Sequence, residues 1–289
     1  MNPILKTDYH VHPDYSNDAL PVSVYEYCSR ALELSLDEIC FTTHFEVDKK
    51  RDDNYVYVNR RKYPITDLRW LDYYFKEIEE AQMIFKDRGL NVKTGLEVGF
   101  SIDSCRIIEK AIDNFPFDFI LGAVHCLDHI SLASLKESSH YFSQKSLTDL
   151  KRDYFQTLEA AVQSGLFDCI AHLDIYRRHG YSFYGPDILN IHQGIIEPIF
   201  EEMARKNIGL EVNTSSLRRG MRVFHPSPEI FSLAVKSGVS IFTIGSDAHR
   251  LNDLGSYIDE ALLFLQKRKV QNHTFTRRIA TPCETLSVS

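Results

Sequence analysis

The sequence predicts an α/β protein built as a closed or nearly closed barrel of parallel strands. Short β-rich runs alternate with longer runs of helical period, the pattern of a βα repeat. Seven such strand–helix units follow one another with no linker and no internal repeat, so residues 1–289 read as one domain. A third observation concerns placement. Metal-ligating residue types recur where the predicted strands end, and chemistry in such barrels collects at the C-terminal strand ends.

A chain of 289 residues is long enough for a substantial core. Its 44% hydrophobic and 25% charged content is ordinary for a folded protein. The net charge of −7 argues against general affinity for nucleic acid or anionic membrane. An anionic substrate would therefore need local positive charge from metals or arginines. No apolar run approaches the ~20 residues of a membrane span. The opening Met-Asn-Pro-Ile-Leu-Lys lacks the apolar stretch of a signal peptide. Cys28, Cys40, Cys105, Cys126, Cys169 and Cys283 are scattered, with no Cys-x-x-Cys pair, and read as reduced thiols. The cytoplasm is the expected compartment.

The first strand is expected at Ile4–His10, and Pro21 with Val24, Cys28, Ala31 and Leu32 at helical spacing marks the first helix. The second strand is Glu38–Thr43, with His44 at its end. The polar, tyrosine-rich Phe45–Thr66 reads as a loop or lid over the barrel mouth. A long helix follows at Asp67–Asp87, carrying Leu71, Phe75, Ile78, Ala81 and Phe85 on one side and stopped by Gly89. Strand Asn91–Leu96 ends at Glu97, helix Cys105–Asp113 follows, and strand Phe117–Val124 ends at His125. Cys126–Ser146 reads as a long polar connection into helix Leu147–Ser164. Strand Phe167–Ala171 ends at His172, helix Asp187–Lys206 precedes strand Ile208–Val212, and helix Pro228–Lys236 precedes strand Ser240–Gly245. A last amphipathic helix is expected at Ser256–Arg268, and the tail Asn272–Ser289 as an irregular strand.

His10 and His12, two apart on a strand, point to one face. Joined to the other strand ends they give six histidines and three carboxylates: His10, His12, Asp18, His44, Glu97, His125, His172, Asp247 and His249. Each has an ordinary explanation. A buried strand-end histidine is commonly hydrogen-bonded core, and Glu97 or Asp247 could cap a helix. Those explanations would have to hold independently on six strands, so the joint pattern favours metal. Imidazole and carboxylate donors suit zinc, iron or manganese. Nine exceed what one ion accepts and fit two or three, Glu97 bridging. His129, His140, His192, His225 and His273 read as surface residues, and His179 as a candidate for the mouth.

The ordered set His10-x-His12, Asp18, Thr43-His44, Gly95-Leu96-Glu97, His125, His172 and Gly245-Ser246-Asp247-Ala248-His249 resembles the polymerase-and-histidinol-phosphatase (PHP) family over nearly the whole chain. Ala171-His172-Leu173-Asp174 and Glu211-Val212-Asn213-Thr214-Ser215 support it. The resemblance implies a distorted seven-stranded (β/α) barrel with a trinuclear site. It gives the first ion His10, His12, Glu97 and Asp247, the second Glu97, His125 and His172, and the third Asp18, His44 and His249. Asp247, His249 and Glu97 take catalytic roles in that reading. Asp18 stands where several family members carry His, which makes the third ion harder-liganded.

The activity implied is metal-dependent hydrolysis of L-histidinol phosphate in histidine biosynthesis. The alternative is a PHP phosphoesterase for another small phosphate ester or a nucleotide, against which stand the acidic charge and the lack of a basic-aromatic groove. A third possibility is a non-catalytic metal-binding domain. Arg177 and Arg178 after the fifth strand, and Arg218, Arg219 and Arg222 after the sixth, are the candidates for gripping phosphate. Glu46, Asp48, Tyr15 and Tyr184 are candidates for the substrate's imidazole and ammonium. A small phosphate ester is the expected partner, with no nucleic acid or membrane, and a homodimer is a further expectation.

Overall fold

The structure, a computed structural model, describes residues 5–283. Seven parallel strands form one sheet in chain order: β1 Thr7–Val11, β2 Glu38–Glu46, β3 Asn91–Gly99, β4 Phe119–Ala123, β5 Cys169–Ile170, β6 Gly209–Asn213 and β7 Phe242–Gly245. The first and last strands meet through a parallel bridge between Val11 and Ala248. His12 N donates to Ala248 O at 2.9 Å, and Ala248 N donates to His10 O at 3.2 Å. That short seam makes the barrel nearly closed, and a register shift between Asp8 and Val11 in the β1–β2 pairing adds the distortion. Every described residue of β1, β4, β6 and β7 is buried, as parallel strands covered on both faces require.

Helices pack outside. Helix α1, Val24–Glu33, starts from a reciprocal Ser23/Glu26 capping box. Helix α2, Trp70–Lys86, buries Trp70, Leu71, Tyr74, Phe75, Ile78, Ala81 and Phe85, and the chain leaves it through Gly89 at φ 85°. Helix α3 is Cys105–Asn114 and α4 is Leu135–Gln144. Helix α5, Leu147–Ser164, has a second capping box and a left-handed Gly165 C-cap. Helix α6 is Arg177–Tyr184, α7 Ile196–Lys206, α8 Ser215–Arg218, α9 Pro228–Lys236 and α10 Ile258–Lys267.

Three expectations change. The stretch Phe45–Thr66 contains a hairpin, Tyr55–Val58 with Arg61–Pro64, turning through left-handed Asn59 and Arg60. The connection Cys126–Ser146 holds another hairpin and α4, whose buried side is only Ser138, Tyr141 and Phe142, too polar a stripe to announce a helix. The helix expected at Asp187–Lys206 breaks into a 3₁₀ segment, Gly185–Asn190, and α7, with Gly194 at φ 72° between them. Instead α6 begins at the arginine pair, where no apolar period points to a helix.

Below the barrel, the tail forms a hairpin, His273–Thr276 with Ile279–Pro282. Its Phe275 enters a small cluster with Tyr9, Cys40, Phe119, Leu121, Ala123, Cys169 and Ala171. Phe275 N donates to Tyr9 Oη at 2.6 Å, and the phenol in turn donates to Glu38. The rest of that predicted tail lies outside the described residues. All six cysteines are free.

Candidate metal centre

Strand pairing sets the floor of the site. In the β2–β3 register His44 lies opposite Glu97, and Glu46 opposite Gly99. His10 and His12 leave β1 at the seam, His125 and His172 stand two residues past β4 and β5, and Asp247 stands two past β7. All these side chains turn to the C-terminal end. Asp247 holds φ 56° and His172 φ 20°, backbone values that non-glycine residues avoid and that concentrate at functional positions.

The side chains converge on Glu97, which is 1% exposed. Its Oε2 lies 3.2 Å from His10 Nε2, 3.4 Å from His12 Nε2 and 2.9 Å from His44 Nδ1. Its Oε1 lies 3.1 Å from His125 Nε2 and 2.9 Å from His172 Nε2. Asp247 Oδ1 is 3.7 Å from His10 Nε2 and 3.6 Å from His12 Nε2. At the outer edge Asp18 lies 3.4 Å from both His44 Nε2 and His249 Nε2, which are 3.3 Å apart. The structure thus brings all nine predicted residues to one rim.

Whether this set fits metal ions is decided by its unsatisfied atoms. His10 Nε2, His12 Nε2, His44 Nδ1 and Glu97 Oε2 are buried and make no hydrogen bond among the described residues. Four inward-facing polar atoms left orphaned together would cost several kcal/mol, at roughly 1–3 kcal/mol each, unless a cation completes them. Four overlapping groups have donor atoms close enough to share an ion: His10/His12/Asp247, His10/Glu97/His172, His44/Glu97/His125 and His12/His44/His249. Three of the far ring nitrogens are held as metal-bound histidines need, while His172 Nδ1 has no partner among the described residues. His10 Nδ1 donates to Glu211 at 2.6 Å, His125 Nδ1 to Glu46 at 2.6 Å, and His12 Nδ1 lies 3.1 Å from Ser16 Oγ.

Charge follows the same logic. Burial opposes ionisation of Glu97, but His10, His125 and His44 outweigh it and hold the carboxyl well below its usual range. Asp247 is depressed likewise, burial being offset by His10 and His249. Burial, reinforced by His249 and His44, keeps His12 neutral, the form that ligates.

Above the floor opens a cavity of about 660 Å³. Arg178, Arg218, Arg219 and Arg250 line it, and Arg51 faces them. Of the five arginines expected to grip phosphate, two are corrected. Arg177 points the other way: buried, it pairs with Asp174 at 3.0 Å and donates to Leu189 O at 2.6 Å. Neighbours on a helix diverge by about 100°, so Arg178 faces the cavity and Arg177 does not. Arg222 is exposed outside it. Arg218 is engaged with the carbonyls of Ser246 and Asp247, steadying the strained β7 loop. Arg178 has Nε and Nη2 buried without partners, and burial, helped by Arg219, pulls its pKa down to about 10.

Other expectations also change. Tyr15, Asp48 and Tyr184 do not line this cavity: they bind Glu77, His129 and the Phe142 and Lys145 carbonyls. Glu46 supports His125 instead. His192, His225 and His273 are buried, His225 being 2.5 Å from Asp174 Oδ1. His179 does not line the cavity either; its Nε2 lies 3.2 Å from the carbonyl of Ala133, which does.

The model of the PHP domain matches residues 8–215, and the chain belongs to this family. Among curated relatives, a probable histidinol-phosphatase of Deinococcus radiodurans is 29% identical over 275 residues, covering 95% of this chain and 98% of that one. A histidinol-phosphatase of Lactococcus lactis is 29% identical over 252 residues, with 84% of each chain covered. A crystal structure of histidinol phosphate phosphatase from Lactococcus lactis, complexed with zinc, L-histidinol and phosphate, superposes with a TM-score of 0.77 at 26% identity over 96% of this chain and 100% of that one. Among the described residues no helix is long and apolar enough to cross a membrane.

Proposed function

We propose that the chain is a metal-dependent phosphomonoesterase that hydrolyses L-histidinol phosphate to L-histidinol and phosphate, a step of histidine biosynthesis. One observation carries the reading: orphaned imidazole and carboxylate atoms converge under a cavity whose wall holds an unpartnered arginine. Relatives named for this activity match over 98% and 84% of their length.

His10, His12, Glu97 and Asp247 would hold one ion, Glu97, His125 and His172 a second, and Asp18, His44 and His249 a third, of zinc, manganese or iron. When bound, such ions bring the pKa of coordinated water toward ~7 and offset phosphoryl charge. The chain's own work is orientation. Glu97 ties five histidines from four strands to one carboxylate. Arg178, its donors free and its neighbourhood cationic, receives the phosphate from above, with Arg219 and Arg250 alongside. Arg218 keeps the backbone of Asp247 in place. The remaining wall holds Tyr55 beside Asp53 and Glu137, both paired with Arg51, and presents an aromatic and polar surface to the rest of the substrate.

The test is phosphate release by metal-reconstituted protein from L-histidinol phosphate, a nucleotide and a neutral aryl phosphate, with bound metal counted in the same sample. Release from L-histidinol phosphate well above the others supports the reading. Release from the nucleotide alone would replace it, and none from fully loaded protein would leave a metal-binding domain. Light scattering on that sample reads whether two copies pair.

A further inference from the structure

We propose that Glu211 is a positioning residue that locks metal ligands from two different strands at once. The inference rests on the reading of the rim as a metal centre. Glu211 sits within β6, 1% exposed, flanked by Leu210 and Val212. A carboxylate in such a strand is costly unless fully hydrogen-bonded. Here it is. Its Oε1 accepts from His10 Nδ1 at 2.6 Å, and its Oε2 accepts from His172 N at 2.8 Å and Asn213 Nδ2 at 3.1 Å. Asn213 is itself fixed, its Oδ1 accepting from Ser215 N at 3.0 Å and Ser215 Oγ at 2.7 Å.

These contacts separate Glu211 from the ligands. Both its oxygens are occupied by donors, and it does not line the cavity, so it meets the cluster only from behind, through His10 Nδ1, and touches none of the orphaned atoms themselves. What it does touch has two consequences. A proton on His10 Nδ1 leaves Nε2 as the lone pair facing Glu97 and Asp247. An acceptor on His172 N anchors a backbone at φ 20°, a conformation that needs outside support to persist. Space for this arrangement comes from Gly245 on the next strand, where a Cβ would fall 2.3 Å from Glu211 Oε1 and 2.4 Å from His10 Cβ. Glu46 is the built-in contrast: its one hydrogen bond to a ligand among the described residues is to His125, His44 Nδ1 lying farther off at 3.8 Å, and it sits over Gly99, where a Cβ would lie 2.0 Å from its Oε2.

The test compares zinc retention in wild type, Glu211→Gln, Glu211→Asp and Glu46→Gln by chelator competition, alongside the melting temperature of the metal-free forms. Gln keeps the shape but loses the charge, and Asp keeps the charge but loses the reach. Each Glu211 variant is expected to weaken retention roughly 10–100-fold at two of the bound equivalents, and Glu46→Gln at one. Zinc retention equal to wild type in both Glu211 variants overturns the proposal, whatever their melting temperatures. Wild type that retains no zinc overturns the metal reading instead. A measurement without any substitution guards against misfolding: in zinc-loaded protein labelled with ¹⁵N-histidine, His10 is expected as the Nδ1–H tautomer. Observation of His10 protonated at Nε2 overturns the proposal.

Discussion

At the N-terminal end of the barrel Tyr9, Phe119 and Phe275 meet ring to ring at 4.8–6.1 Å, and the one phenol among them both accepts from Phe275 N and donates to Glu38. At the C-terminal end imidazoles and carboxylates crowd together with ring nitrogens unpaired and two backbones in the left-handed half of φ space. The same seven strands carry both ends. The lower end is assembled for stability, and the upper end keeps reactive atoms exposed to one another in a geometry that packing alone would not choose.

Substitution can break that contrast from either side. The largest effect is expected at the rim. His172→Ala or Asp247→Ala removes a proposed ligand outright, and phosphate release should fall by more than the ~10²-fold expected when only a ligand's support is lost. Thermal melting of the metal-free protein should barely move. A variant that turns over like wild type in metal-depleted buffer would contradict the assignment. At the other end Phe275→Ala should cost about 3–5 kcal/mol of stability in urea titration, with unchanged kcat per folded molecule. A large loss of kcat there would mean that the two ends are coupled.

The adjacent arginines sharpen the comparison within one helix. Arg178→Ala should raise KM roughly 10–100-fold, the loss of about 1.5–3 kcal/mol for a bond to a charged group. Arg177→Ala should leave KM alone and destabilise by about 3–5 kcal/mol, because Asp174 keeps a buried charge with one partner fewer. The smallest effect concerns Glu38 beneath the plug. Burial raises its carboxyl above the ordinary 4.5, despite the Tyr9 hydroxyl. The folded chain therefore holds that proton more tightly than the unfolded chain, so its contribution is greatest below 4.5 and is lost as pH rises through the folded value. Glu38→Gln should accordingly gain melting temperature relative to wild type between acid and neutral pH. No change in that difference would show that Tyr9 and Lys93, whose Nζ lies 3.8 Å from Glu38 Oε2, already neutralise the cost.

The rim was legible because strand ends in a βα repeat share a side of the molecule, so residue type and position within each unit sufficed for His44, Glu97 and His172. The two arginines were not separable, since their divergence depends on α6, which a run of Arg-Arg-His-Gly does not announce. His225 and His192 read as surface residues because the carboxylates they meet, Asp174 and Glu229, are remote in sequence. Glu211 left a usable signal: an acid inside Gly-Leu-Glu-Val-Asn, a stretch otherwise fit for the interior of a sheet. Its partner could not be named without knowing which strands adjoin.

The hairpin beneath the barrel also bears on synthesis. The seam joins residue 11 to residue 248, and Phe275 follows later still. At about 5–20 residues per second, a ribosome takes on the order of ten seconds or more to bring β1's final neighbours into being. Throughout that interval the earliest strand has one open edge and no cork below it. The apolar floor around Tyr9 and Phe119 should therefore stay open until the Val11–Ala248 seam and Phe275 are both in place.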